Sequence, residues 1–267
     1  MSFENLLDSL RLSIGEHTFD LASALRTMNP ELRQKIALHL AGHGATAGSP
    51  QLSLIFPSYP QDPQPTDRLY ELALASVARA RNISLNIYDG RASFEPKFFE
   101  IWPGEHYRFL AGMIAELKPR RLVEIGTGTG MGVLAMLSTM EPGATLQTLD
   151  IIPWKDLRDS WLREDDFTNG QLIQHVCDVK SPDFLDRFSE VLAQADFVFV
   201  DGPKDGVTED ILLSYIDRIK FLCSPIFFFD DTRVINMAKT WHAIRRPKLD
   251  LTAFGHWSGS GLVDWCA

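Results

Sequence analysis

The stretch LVEIGTGTGMG, from Leu122 to Gly132, decides the fold of this chain. Leu122, Val123 and Ile125 form a short apolar run, the pattern of a strand buried on both faces of a parallel sheet. Glu124 sets a carboxylate near its end. Gly126, Gly128 and Gly130 then alternate with Thr127 and Thr129, and an apolar helical run opens at Gly132 and continues to Leu137. Strand, glycine loop and helix in that order make a nucleotide-binding layout. The glycines permit a tight turn and close backbone approach, and the helix N-terminus offers free N–H groups.

The spacing discriminates between cofactors. A dinucleotide fingerprint requires Gly-x-Gly-x-x-Gly/Ala. Counted from Gly126 the sixth residue is Met131, and counted from Gly128 it is Val133; both are too bulky for close helix–strand packing. The motif present is acid-x-Gly-x-Gly-x-Gly. Glu124-Ile-Gly-Thr-Gly-Thr-Gly130 resembles the first motif of class I S-adenosylmethionine-dependent methyltransferases. In that family the loop backbone lies against the methionine part of the cofactor, which assigns Glu124, Gly126, Thr127, Gly128 and Gly130 to cofactor binding.

Outward from the motif, the chain alternates as an α/β domain should. Strands are expected at 145–149, 171–176, 197–200 and 225–229, with a closing pair at 249–254 and 261–265. Helices are expected at 104–117, 182–193 (capped by Ser181), 206–220 and 235–245. The resemblance covers residues 104–267. It implies a Rossmann-like, seven-stranded, mostly parallel sheet with helices on both faces and its last strand antiparallel.

Almost every strand ends in an acid: Glu124, Asp150, Asp178, Asp201 and the pair Asp230-Asp231. In open α/β sheets, ligands bind outside the carboxyl ends of the strands. Asp150 stands at the end of the second strand, where a carboxylate can accept both ribose hydroxyls, the family's usual contact. Ile151 could pack on the adenine face, and Asp178 with Val179 matches the position that meets the adenine amino group. FVFVDGPKDG and IFFFDDTR carry a narrower likeness, to the metal-dependent O-methyltransferases of the catechol and caffeoyl-CoA type. That likeness implies a divalent metal, Mg²⁺ or else Mn²⁺ or Ca²⁺, held by Asp201, Asp230 and Asp231. It also places Lys204 beside the accepting hydroxyl as the group that takes its proton, with Asp201 as a second catalytic residue and a cofactor contact. Where the family has Asp-Asn, this chain has Asp-Asp. Because consecutive strand residues point to opposite faces, the pair can share one ion only if the chain turns between them. His106, His256 and Arg233 are further candidates for the substrate pocket.

Residues 1–103 lack a regular αβ alternation and read as a helical N-terminal extension, a lid or a dimerisation segment. Residues 3–40 are expected to be helical, 42–67 to form a loop, 68–80 a helix and 83–88 a short strand. The chain has 267 residues and a net charge of −9, without basic clusters, which argues against nucleic acid as a partner. Three widely spaced cysteines fit a reduced cytosol. The acidic start MSFENLLDSL is no secretory signal, and no apolar run approaches membrane-spanning length. The expectation is a cytoplasmic methyltransferase acting on a small-molecule hydroxyl. The rivals are a metal-independent N- or C-methyltransferase of the same fold, a NAD-dependent oxidoreductase and a non-catalytic cofactor-binding protein.

Overall fold

The structure, a computed structural model, describes residues 11–14, 17–20, 62–91, 99, 106–254 and 258–267. The chain divides into two compact units, Met1–Pro50 and Gln51–Ala267. In the first, strands β1 (Arg11–Ile14) and β2 (His17–Asp20) pair antiparallel, with Ile14 opposite His17. This corrects the helical reading of residues 11–20. The intervening dipeptide is Gly15-Glu16, and glycine first in a two-residue connection is a hairpin signal that a search for helical spacing passes over. The rest of the expected 3–40 helical segment, and nearly all of the 42–67 loop, lie outside the described residues.

The second unit is built on a seven-stranded sheet in the order β5-β4-β3-β6-β7-β9-β8. Its strands are β3 (Arg121–Ile125), β4 (Thr145–Asp150), β5 (Leu172–Val176), β6 (Phe197–Val200), β7 (Ile226–Asp230), β8 (Lys248–Asp250) and β9 (Ser260–Asp264). β3 to β7 pair in parallel, and β9 runs antiparallel to both of its neighbours. This is the Rossmann-like sheet expected. The chain order switches at β3, where one crossover leads to β4 and the other side of the sheet continues with β6. The glycine loop leaves the sheet at that switch, where such folds open a crevice.

Alternation along the strands sorts the core into two layers. Leu122, Leu146, Phe197, Phe199 and Phe228 pack with helices α1 (Asp67–Ala80), α2 (His106–Leu117) and α3 (Met131–Leu137). Val123, Ile125, Val198, Val200, Phe227 and Phe229 pack with α4 (Phe184–Gln194), α5 (Val207–Ile216) and α6 (Ile235–Ala243). The sheet therefore carries helices on both faces. Each fully buried phenylalanine contributes about 1.5–3 kcal/mol relative to exposure.

The region read as one extension over 1–103 spans the boundary between the two units. Helix α1 belongs to the sheet unit, with Leu69, Leu72 and Ala73 buried in the first core layer. Its backbone meets that of α2 so closely that a Cβ on Gly112 would lie 2.5 Å from the Ser76 carbonyl oxygen. Thr66 caps α1, accepting from Leu69 N–H at 3.4 Å, and its hydroxyl donates to Asp264 at 3.0 Å. Arg68 reaches the same carboxylate at 3.2 Å. Residues 83–88 form no strand: Asn86–Tyr88 is a single 3₁₀ turn whose Tyr88 packs on Phe99. Helix α4 starts at Phe184, with Asp183 rather than Ser181 in the capping position. Among the described residues no helix is long and apolar enough to cross a membrane.

Candidate active site

The glycine loop turns at Gly126, whose φ is +100° and whose N–H donates to the Leu149 carbonyl at 2.8 Å. A Cβ here would stand 2.1 Å from the Asp201 carbonyl oxygen, so the ends of β3 and β6 can meet only if this residue is glycine. Beside the loop lies a cavity of about 320 Å³, within the range of small-molecule sites. Of the expected cofactor residues, Gly126, Gly128, Asp150, Ile151, Asp178, Val179 and Asp201 line it. Asp150 is aimed by the chain itself: it accepts from Gly128 N–H at 2.9 Å and from Ile152 N–H at 3.0 Å. Ile151, 64% exposed, leaves an apolar surface at the cavity wall. Asp178 accepts from Lys180 N–H at 2.8 Å.

Glu124, Thr127 and Gly130 are not among the lining residues; for Glu124 the reason is strand alternation. Glu124 points to the layer of Leu122, beneath the start of α3, where a Cβ on Gly132 would lie 2.5 Å from its carboxyl. Burial there pushes its pKa well above the usual carboxylate range, with a hydrogen bond from Thr148 opposing. A relay holds it. Gln174 Nε2 donates to Thr127 Oγ1 at 3.1 Å, Thr127 and Thr148 hydroxyls share a 2.8 Å bond, and Thr148 donates to Glu124 at 2.5 Å. Gln174 also accepts from Trp154 N–H and donates to the Ile152 carbonyl, so it ties the glycine loop to the loop after β4. Gly130 takes a left-handed turn against Leu162 and opens α3. Thr148 and Gln174 carry no sequence signal, since polar residues inside strands read only as alternation.

Asp201 forms part of a second arrangement as well. The Lys204 ammonium lies 2.5 Å from Asp201 Oδ1, 3.1 Å from Asp231 Oδ2 and 3.4 Å from Asp230 Oδ2. β7 ends at Asp230, and Asp231 then takes a φ of +56°, which supplies the turn that lets adjacent aspartates face one point. Lys204 itself has a φ of +61°. Its N–H is fixed by Glu209 Oε1 at 2.9 Å, and Glu209 Oε2 accepts from Gly206 N–H at 2.9 Å. Glu209 escaped the motif reading; an acid three residues after a helix-capping glycine is the signal that marks it. Asp231 also accepts from the Ser258 hydroxyl.

Burial disfavours the Lys204 ammonium, but Asp201, Asp230 and Asp231 outweigh it and hold its pKa well above the ordinary lysine value. Lys204 is therefore held as an ammonium at neutral pH. Burial pushes Asp201 up to about 6, against the opposing pull of Lys204 and with a further push from Asp230. Asp230 is likewise raised to about 6 by burial, with Lys204 opposing and Asp231 adding. His106 is buried, stacked on Phe228, with Nδ1 3.6 Å from Asp230 Oδ1; desolvation lowers its pKa to about 4, so it is neutral. Arg233 pairs with Asp250 at 2.8 Å. His256 lies outside the described residues.

The three aspartates expected to hold a metal thus do converge, but on an ammonium. Carboxylate oxygens are the right donor type for Mg²⁺, Mn²⁺ or Ca²⁺. The point they share is taken by Lys204 Nζ, and two cations cannot share it, so a divalent ion does not fit these residues as they stand. Among the described residues no group of three or more His, Cys, Asp or Glu is arranged to hold a metal ion.

No protein-family model matches the chain, and no curated protein does. Solved structures are similar to it at low identity. An O-methyltransferase from Bacillus cereus in complex with SAH is 16% identical, with a TM-score of 0.44, over 74% of this chain and 90% of that one. The O-methyltransferase TomG from Streptomyces achromogenes, involved in tomaymycin synthesis and in complex with SAM, is 15% identical at a TM-score of 0.42, over 74% and 89%. An SAH-bound methyltransferase from Podospora anserina is 15% identical at 0.42, over 90% and 97%. Likeness this distant says nothing of what this chain binds or acts on. From its sheet order and its single antiparallel strand, the second unit has a Rossmann-like fold with a mostly parallel, seven-stranded sheet.

Proposed function

We propose that the chain is an S-adenosylmethionine-dependent methyltransferase that acts on a hydroxyl of a small molecule. The observation that carries the proposal is the double position of Asp201, which lines the cavity beside the glycine loop and also belongs to the charged cluster of Lys204. A cofactor site and a proton-handling site meet at one side chain.

The residues present suit the cofactor. Asp150, already oriented by two backbone donors, has acceptor capacity left for ribose hydroxyls. Ile151 and Val179 supply apolar walls for a base, Asp178 an acceptor for its amino group, and the Gly126–Gly128 backbone a surface that an amino-acid tail can approach. When bound, the sulfonium supplies an activated methyl group, so the protein's work is positioning and proton removal. A carboxylate pushed up to about 6 is suited to that removal near neutral pH. Asp201 would take the acceptor's proton, and Lys204 would hold Asp201 in place. Three carboxylates around one ammonium leave the cluster negative, which favours neutral or cationic acceptors over anionic ones.

Ligand-dependent melting tests the reading. S-adenosylmethionine or its demethylated product, at a hundredfold excess over Kd, should stabilise the full chain by about 2.7 kcal/mol. Turnover is then read as release of the demethylated product with hydroxyl acceptors. A large shift with NAD and none with S-adenosylmethionine would overturn the proposal in favour of an oxidoreductase.

A further inference from the structure

We infer that Lys204 is the resident cation of this strand-end cluster, standing where a divalent ion would otherwise draw the three carboxylates together, so that the site works without a metal. The inference stands on the geometry of four side chains and does not depend on which cofactor the cavity takes.

An ammonium has three donors and no acceptor. Lys204 Nζ has three carboxylate neighbours within 3.4 Å, as many as it has N–H groups. Its side chain is 15% exposed. Its main chain is pinned on both sides, through its N–H to Glu209 and through its carbonyl, which accepts from Asn236 Nδ2 at 3.4 Å. Of the three non-glycine residues with positive φ among the described residues, two are Lys204 and Asp231, the members that must turn for the cluster to close. Left-handed backbone in a residue with a Cβ persists only where its surroundings impose it, and such residues gather at functional sites. The lysine is thus built into the position, and a swing outward would break three ion pairs. The second aspartate of the pair, where an asparagine would bring no charge, suits this arrangement: the added carboxylate gives the ammonium its third partner.

The test is a Mn²⁺ titration of the full chain, with free ion counted by paramagnetic resonance. Wild-type protein should bind no stoichiometric Mn²⁺. Lys204→Met and Lys204→Gln, which free the carboxylates, should each gain one ion per chain, more than about tenfold tighter than wild type. Lys204→Arg, which keeps a cation, should gain none. Adding Asp230→Asn to Lys204→Met should remove the ion. Circular dichroism checks the fold of each variant, and two neutral replacements guard against the loss of one. The wild-type arm decides alone if neither folds: one tight ion, lost in Asp231→Asn, overturns the inference, and silence supports it. Folded Lys204→Met or Lys204→Gln that binds no ion also overturns it, because the lysine would then stand in for no ion.

Discussion

Replacing Asp230 by asparagine should make the protein more stable at neutral pH. Asp230 is 7% exposed in its side chain, and burial raises its pKa from the ordinary 3.8 to about 6 even with Lys204 beside it. In the unfolded chain the carboxyl ionises near 3.8; in the folded chain it keeps its proton to about 6. Between those values the native state binds more protons, so stability falls as pH rises through the window and stays lower above it. At 1.36 kcal/mol per pH unit, the step amounts to about 3 kcal/mol. Asparagine has the same shape, keeps an oxygen toward Lys204 and carries no charge to bury. The Lys204 contact at stake is the longest of the three, at 3.4 Å. For a domain of this size each kcal/mol is about 2–4 °C in Tm, so Asp230→Asn should melt about 6–12 °C higher at about pH 8. At about pH 4 the two proteins should melt together. Thermal unfolding followed by circular dichroism across that range measures both. A variant no more stable than wild type at about pH 8, or a gap equally large at about pH 4, would refute the claim that burial of this charge is the dominant effect.

Other perturbations probe the cavity and the frame. Gly126→Ala should disrupt the loop, because its Cβ would meet Asp201 O at 2.1 Å, whereas Gly128→Ala, with nothing within 4 Å, should cost only about 1–2 kcal/mol of left-handed strain; Tm measurements separate the two. Asp150→Ala should weaken S-adenosylmethionine binding by roughly 1–3 kcal/mol in calorimetry, and unchanged affinity would remove Asp150 from the cofactor site. Lys248 and Asp62 form a buried pair at 3.2 Å, and Lys248 also donates to the Trp241 and Ile244 carbonyls. Lys248→Met should therefore cost about 3–5 kcal/mol in denaturant unfolding by leaving Asp62 under-paired, and a cost below 1 kcal/mol would show that Arg245 alone suffices.

The amino-acid sequence by itself determined the elements of the sheet unit. Apolar runs such as Phe197–Val200 and Ile226–Phe229 are local patterns, and a strand buried on both faces needs nothing beyond such a run and a polar stop. The three-glycine loop and the acids at strand ends were legible for the same reason, since each is a short-range requirement of backbone or ligand. Short segments with mixed signals were not. Residues 11–14 and 17–20 pair as a hairpin, and Asn86–Tyr88 turns instead of extending, because a few residues satisfy two periods equally well and packing then chooses. Only the tertiary structure decided the direction and company of the charged groups. Glu124 belongs to the glycine motif in sequence yet alternation turns it under α3. Lys204 stands 26 residues from Asp230, and they meet because parallel register sets β6 beside β7 while two left-handed residues turn their side chains to one point. Three carboxylates at that point hold Lys204 as an ammonium, which is why we propose Asp201, not Lys204, as the proton acceptor. That assignment depends on distances across the sheet, which no spacing along the chain contains.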